Sequence, residues 1–422
     1  MAVQPHLVIL GAGFGGLGVL ERLRGADLRI TLVDKHNYHT FQPLLYQVAT
    51  DELAPTEVGF PLRELLDRHK NLAFQQSSVR SVDLAKKQVV LADGPPLTYD
   101  YLVIALGAVV NFFNTPGAEQ FAFPMYTMED ALRLKTKILT TLERVDQNPA
   151  LADGGALTFC IVGGGPTGVE VAGSLAELLQ SELGKEYPNV PLGKAQVHLY
   201  EYSPDLLGPF KPALRDYARQ ALEKRGVNVH TGTGVKQIHA DNILLSTGVS
   251  VPTQTLVWAA GLQANPLVAS LAVPLAHGGR IPVDADLQIS GHPGSYALGD
   301  IAAMKDVNTG APLPGLAAVA LQAGRYLGES IQDRLAGKTV KPFAYFDKGT
   351  MATIGRGAAI AELPLGISMT GLPAWLAWLG VHLTLLSTMA ERSCVLVDWG
   401  WNMLTRQRGK GMLLGDEGNP RT

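Results

Sequence analysis

Short, almost uninterrupted apolar runs recur along the chain, each closed by a glycine or an acid. His6-Leu7-Val8-Ile9-Leu10, Ile30-Thr31-Leu32-Val33-Asp34, Phe159-Cys160-Ile161-Val162 and Val197-His198-Leu199-Tyr200-Glu201 are the clearest. Runs this short that stay apolar on both sides suit strands buried on both faces, as in parallel sheets. Tyr101-Leu102-Val103-Ile104-Ala105 and Leu256-Val257-Trp258-Ala259-Ala260-Gly261 read the same way, and further strands are expected near 88–92, 227–230 and 243–245. Between them the apolar period becomes helical at 127–145 and 213–225, with a short helix near 61–70 and another from about 315. Strands alternating with helices predict an α/β fold with parallel sheets. One stretch departs from this rhythm. From Leu363 to Ala390 there is no Asp, Glu, Lys or Arg. That length can span a bilayer as a helix, but Pro373 predicts a fresh helix start and Gly380 interrupts the stretch from there to Ala390. Trp375, Trp378 and His382 fall at i, i+3 and i+7, a stripe expected to lie at the lipid headgroup boundary. A core helix or a dimer contact fits the same spacing. Arg392, Arg406, Arg408 and Lys410 come next, placed to attract anionic lipid.

Two strand ends carry recognisable chemistry. The first strand runs into Gly11-Ala12-Gly13-Phe14-Gly15-Gly16, and Phe159–Val162 runs into Gly163-Gly164-Gly165-Pro166-Thr167-Gly168. In such a turn Gly11 and Gly163 permit the tight bend, and Gly13 and Gly165 let backbone approach a pyrophosphate. Gly16 and Gly168 let helix and strand pack closely, while the helix N-terminus faces the phosphate charge. The next strand of each set ends in an acid, Asp34 or Glu201, suited to bind a ribose 2′-hydroxyl and repel a 2′-phosphate. One glycine turn is weak evidence, but two in full strand–turn–helix–strand–acid context predict two bound dinucleotides.

Composition fits an enzyme of two or three domains. The chain has 422 residues, 46% apolar and 17% charged, and a net charge of −3 gives no reason to invoke nucleic acid. The two cysteines, Cys160 and Cys394, are far apart in sequence, so no disulfide scaffold is expected. The apolar run beginning at His6 lacks a preceding charged segment or cleavage site and reads as a strand rather than a signal peptide.

The arrangement resembles the flavoprotein superfamily with two dinucleotide-binding domains, in which the first unit holds FAD and an inserted second unit holds NAD(P)H. Ala297-Leu298-Gly299-Asp300 matches its second FAD motif, and Ile104-Ala105-Leu106-Gly107 and Trp258-Ala259-Ala260-Gly261 resemble its crossing strands. The resemblance implies FAD contacts at Gly11, Gly13, Phe14, Gly15, Gly16, Asp34, Lys35, Gly107, Gly299 and Asp300. It implies NADH contacts at Gly163, Gly165, Pro166, Thr167, Gly168, Glu201 and Gly261. The expected organisation is an FAD domain over 1–115 and 271–335, an NADH domain over 116–270, and a C-terminal membrane-docking region over 336–422. Disulfide and sulfide chemistry need paired cysteines beside the flavin, and none is present in the sequence.

Longer matches are narrower. Phe41-Gln42-Pro43-Leu44-Leu45-Tyr46-Gln47-Val48-Ala49, the run from Gly163 through Glu170 to Glu177, Asp347–Arg356 and Trp375–Leu383 resemble the type II, non-proton-pumping NADH:quinone oxidoreductases. The resemblance implies a flavoenzyme held peripherally on the cytoplasmic side of the cell membrane, a quinone acceptor (ubiquinone or menaquinone) and a possible homodimer. It implies that Lys348 lies near the flavin and that Glu170 serves quinone chemistry or proton delivery. It also implies a quinone contact at Gln322, while Ala318 stands where the family carries a first glutamine. A soluble NADH-dependent flavin reductase with another acceptor, and a slow flavin redox sensor, remain open alternatives. The altered glutamine pattern favours the former.

Overall fold

The computed structural model describes residues 4–180, 183–405 and 411–413. The chain divides into two compact units. The first comprises Met1–His39, Phe60–Val109 and Leu262–Phe346; the second comprises Thr40–Gly59, Val110–Gly261 and Asp347–Thr422.

The first unit is built on a five-stranded sheet. Its order is Ser295–Ala297, Tyr101–Ile104, His6–Leu10, Arg29–Asp34 and Leu72–Gln76, every pair parallel. Leu7, Val8, Ile9 and Leu10 of the central strand are wholly buried, as expected where helices cover both faces. The helices Phe14–Arg22 and Ala317–Leu335 press together at glycines. A Cβ at Gly18 would stand 2.7 Å from the Leu321 carbonyl oxygen, and one at Gly324 would strike the carbonyl of Gly15.

The second unit repeats the plan. Its five-stranded parallel sheet runs Ala122–Pro124, Thr255–Trp258, Thr158–Val162, Gln196–Tyr200 and Val227–His230. Both halves of the expected nucleotide architecture are therefore present, each with the glycine-turn strand at its centre and the acid-bearing strand beside it. The helix Met128–Gln147 starts at a reciprocal cap. There Asp130 N–H donates to Thr127 Oγ1 at 3.1 Å, and Thr127 N–H donates to Asp130 Oδ2 at 2.9 Å.

A three-stranded antiparallel sheet, Thr350–Gly355, Ala358–Glu362 and Ser368–Thr370, leads to two helices, Gly371–Leu385 and Met389–Thr405. The helix expected to begin at Pro373 begins two residues earlier, at Gly371. No described helix is long and apolar enough to cross a membrane. Helix Pro166–Leu179 meets strand Thr350–Gly355 at Gly173, where a Cβ would collide with the Ile354 carbonyl. That close approach brings the polar side of the helix against Thr353.

Candidate functional site: two nucleotide cradles and a half-buried acid

The glycine turns are copies of one another in three dimensions. Gly11 and Gly163 adopt φ of +100° and +110°, a region that side chains disfavour. A Cβ at either would collide with the carbonyl of Ala105 or Ala259, and one at Gly16 or Gly168 with the carbonyl of Gly11 or Gly163. Gly13 and Gly165 differ from these. Each caps the N-terminus of its helix in extended backbone, and a Cβ there meets nothing within 4 Å. Open ground before a helix N-terminus, with unpaired N–H groups facing it, is what a pyrophosphate requires. The residues present therefore fit a dinucleotide in each unit.

The acids face their own glycine turns. Asp34 accepts from Ala12 N–H at 2.7 Å and His36 N–H at 2.8 Å. Glu201 accepts from Gly164 N–H at 2.5 Å and Ser203 N–H at 2.6 Å. Two backbone donors fix each carboxylate beside its own glycine turn. Lys35, Pro166 and Thr167 are exposed, and Phe14 is half-buried. Gly107 adopts φ of +65°, and a Cβ at Gly261 would stand 2.5 Å from the Phe113 ring. Asp300 sits in the tight turn Gly299–Ile301, opposite Gly315, whose Cβ would come within 2.9 Å of its Oδ1.

Sequence reasoning missed His39. It is 2% exposed, its Nδ1 lies 2.8 Å from the Ala12 carbonyl oxygen, and its ring meets Phe14 edge-on at 5.2 Å. Burial pulls its pKa down to about 4. The neutral ring donates from Nδ1 and holds the first glycine turn in place. A histidine within aromatic surroundings five residues after an acid was the available signal.

Glu170 lies one turn into helix Pro166–Leu179 and lines a cleft with about 30 Å³ of space for water. Loss of water on burial pushes its carboxyl up to about 8, opposed only by the Thr353 N–H donating to its Oε1 at 3.4 Å. Cys160, buried within strand Thr158–Val162, has its thiol pushed up to about 12 by burial and is chemically inert. Lys348 is exposed in the segment before strand Thr350–Gly355. In the first unit Gln322 spends both ends of its amide on one residue. Its Nε2 donates to the Phe346 carbonyl at 3.0 Å, and its Oε1 accepts from Phe346 N–H at 3.1 Å.

Comparison with known proteins decides the family. The pyridine nucleotide-disulphide oxidoreductase profile matches residues 5–324, and that of the NDH2 C-terminal domain matches 348–407. The type II NADH:quinone oxidoreductase Ndh of Mycobacterium tuberculosis is 35% identical, across 99% of this chain and 92% of its own. The chain belongs to the type II NADH:quinone oxidoreductases. The demethylphylloquinone reductase NdbB of Synechocystis is 31% identical, with 96% of this chain and 97% of its own covered. The solved structure of NDH2 from Plasmodium falciparum in complex with NADH shares the fold, with a TM-score of 0.90 at 22% identity over 96% of this chain and 100% of that one.

In this type II oxidoreductase helix Gly371–Leu385 turns Trp378 inward, which corrects the expected headgroup stripe. Trp378 is 1% exposed. It stacks on His382 with centroids 4.0 Å apart and packs on Trp399 at 5.9 Å and Tyr46 at 6.4 Å. Trp375 is half-buried and lines the cleft. The outward face of helix Gly371–Leu385 is aliphatic, with Leu372, Leu376, Val381 and Leu385 exposed. The outward tryptophan is Trp401, 58% exposed on the next helix. Arg392, expected to attract lipid, instead donates to the carbonyls of Leu386 and Thr384, closing the turn between the helices. Arg406, Arg408 and Lys410 lie outside the described residues. The Phe41–Ala49 motif serves as an anchor: Trp399 Nε1–H donates to Gln47 Oε1 at 3.0 Å, and Asn402 Nδ2–H to the Glu52 carbonyl at 3.3 Å.

Proposed function

We infer that the protein is a flavoenzyme that oxidises NADH and reduces a quinone, without pumping protons, at a membrane surface. The observation that carries this reading is the doubled nucleotide cradle, set in a chain that matches quinone-reducing relatives from end to end. FAD supplies a hydride acceptor that passes electrons on in pairs. The residues that would hold it are the Gly11–Gly16 turn, Asp34, Lys35, Gly107, Gly299 and Asp300. The turn Gly163–Gly168, Glu201 and Gly261 would hold NADH, and the Glu201 carboxylate would repel the extra phosphate of NADPH. Glu170, neutral near pH 7, is suited to give up a proton. Lys348 offers a cation to developing negative charge. A quinone contact by Gln322 would compete with its two bonds to Phe346, so its first task is to fix the backbone two residues before Lys348.

The aliphatic face of helix Gly371–Leu385 and the exposed Leu396, Val397, Trp401 and Leu404 of the last helix would rest on lipid from the cytoplasmic side. Steady-state assays of the FAD-loaded protein with short-chain ubiquinone and menaquinone analogues test the reading. Quinone-dependent turnover, faster with NADH than with NADPH and with little oxygen uptake, is expected. Rapid flavin bleaching without quinone turnover would overturn the quinone half and favour a different acceptor.

A further inference from the structure

Just past strand Gln196–Tyr200, beside the acid of the second cradle, the fold leaves an aromatic ring in water. Tyr202 is 82% exposed, the most exposed of the described phenylalanine, tyrosine and tryptophan side chains. Its backbone is nevertheless fixed on both sides. Thr233 N–H donates to the Glu201 carbonyl at 2.9 Å, and Gly232 N–H donates to the Ser203 carbonyl at 2.9 Å. Ser203 N–H in turn donates to the Glu201 carboxylate, so one turn sets both the acid and the tyrosine. Further along, Leu207 N–H donates to the Gly164 carbonyl at 2.8 Å and ties the segment back to the glycine turn. The ring lies against Gly234, where a Cβ would stand 3.2 Å from Tyr202 Cδ2. Gly234 has an ordinary φ, so what its missing side chain provides is room beside the ring.

A ring kept in water gains no burial energy from folding, but its place in the turn suits a ligand. In NADH the adenine is bonded to the ribose carbon next to the one that bears the 2′-hydroxyl. A hydroxyl taken by Glu201 brings the base close to the following residue, because adjacent Cα atoms are only about 3.8 Å apart. We propose that Tyr202 is the adenine platform of the second cradle, its open ring face stacking on the base of NADH. The proposal rests on reading Gly163–Gly168 and Glu201 as the NADH cradle. Stacking of a base on an aromatic side chain sheds the water between two flat faces and needs no hydrogen bond to the base. Tyr202 adds affinity for the adenosine half, while Glu201 selects against a 2′-phosphate. The contact is far from the reacting carbon and is made equally before and during hydride transfer, so it acts on KM and not on kcat.

Calorimetric titration of the FAD-loaded protein with ADP-ribose, which carries the adenosine half and no nicotinamide, reads the platform apart from turnover. Tyr202→Ala should weaken ADP-ribose binding on the order of tenfold, and Tyr202→Phe should match the parent. In steady-state kinetics Tyr202→Ala should raise the KM for NADH by the same factor and keep its kcat. Reduced nicotinamide mononucleotide ends at its first phosphate and carries no adenine. It should reduce the flavin of Tyr202→Ala and of the parent with the same second-order rate constant. Equal ADP-ribose affinity in Tyr202→Ala and parent would overturn the platform. So would an equal loss in Tyr202→Phe, which would assign the effect to the hydroxyl. Slower reduction of Tyr202→Ala by the mononucleotide would also overturn it, since that would reveal a displaced turn. The premise is separable: if the parent binds no ADP-ribose, or Gly165→Val binds it as the parent does, the cradle reading fails and the platform with it.

Discussion

A carboxyl group that folding strips of water stores a proton and also weakens the fold at high pH. Glu170 has its pKa raised to about 8 from an ordinary 4.5. Between those values the folded chain retains a proton that the unfolded chain has lost, so stability falls as pH rises through this window. Glu170→Gln removes the dependence. Thermal unfolding of variant and parent should nearly coincide below about pH 4.5, with the variant gaining steadily up to pH 8 and no further above it. A Tm difference independent of pH would contradict the burial argument. Glu170 itself was legible through its glycine-turn motif, but its environment was not. Thr353 and Trp399, which help enclose it, are brought there by the fold from far along the chain, and no local period records that.

Helix Gly371–Leu385 shows where periodicity loses its meaning. Its residues are apolar almost all round, and a helix without a polar side gives no indication of which face turns inward. The spacing of Trp375, Trp378 and His382 identified a real stripe and assigned it the wrong direction. Burial of that stripe predicts opposite outcomes for two neighbouring substitutions. Trp378→Ala leaves a void beside Tyr46, Trp399 and His382 and should cost about 3–5 kcal/mol in chemical denaturation. Leu376→Ser, on the 54% exposed face, should leave stability nearly unchanged and reduce co-sedimentation with anionic lipid vesicles. Equal vesicle binding by Leu376→Ser and parent would count against lipid as the partner of that face.

Across the whole molecule, the two cradles are close geometric copies, so their functions can be separated by equivalent changes. Gly13 and Gly165 each face open space and have ordinary φ. Valine at either position should fold normally yet fill the ground a pyrophosphate needs. Gly13→Val should purify without flavin absorbance. Gly165→Val should keep its flavin and show a KM for NADH raised on the order of a hundredfold, about 2.7 kcal/mol at 1.36 kcal/mol per tenfold. The same loss in both variants would refute the division of labour. Strand, turn and acid were legible because each set is written in one stretch of chain, 29 residues from His6 to Asp34 and 43 from Phe159 to Glu201. The destination of Thr40–Gly59 was not, because the segment comes after the first acid in sequence but belongs to the second compact unit.

The chain passes from one unit to the other at 39/40, 59/60, 109/110, 261/262 and 346/347. On the ribosome, this route means that possession of both glycine turns does not suffice for either unit to close. By the time residue 270 has emerged, Tyr101–Ile104 still lacks its outer neighbour Ser295–Ala297, and helix Phe14–Arg22 still lacks Ala317–Leu335. A nascent chain of that length therefore carries a bare sheet edge and an uncovered apolar helix face, the features that chaperones hold. Completion of both nucleotide units waits on the last third of translation.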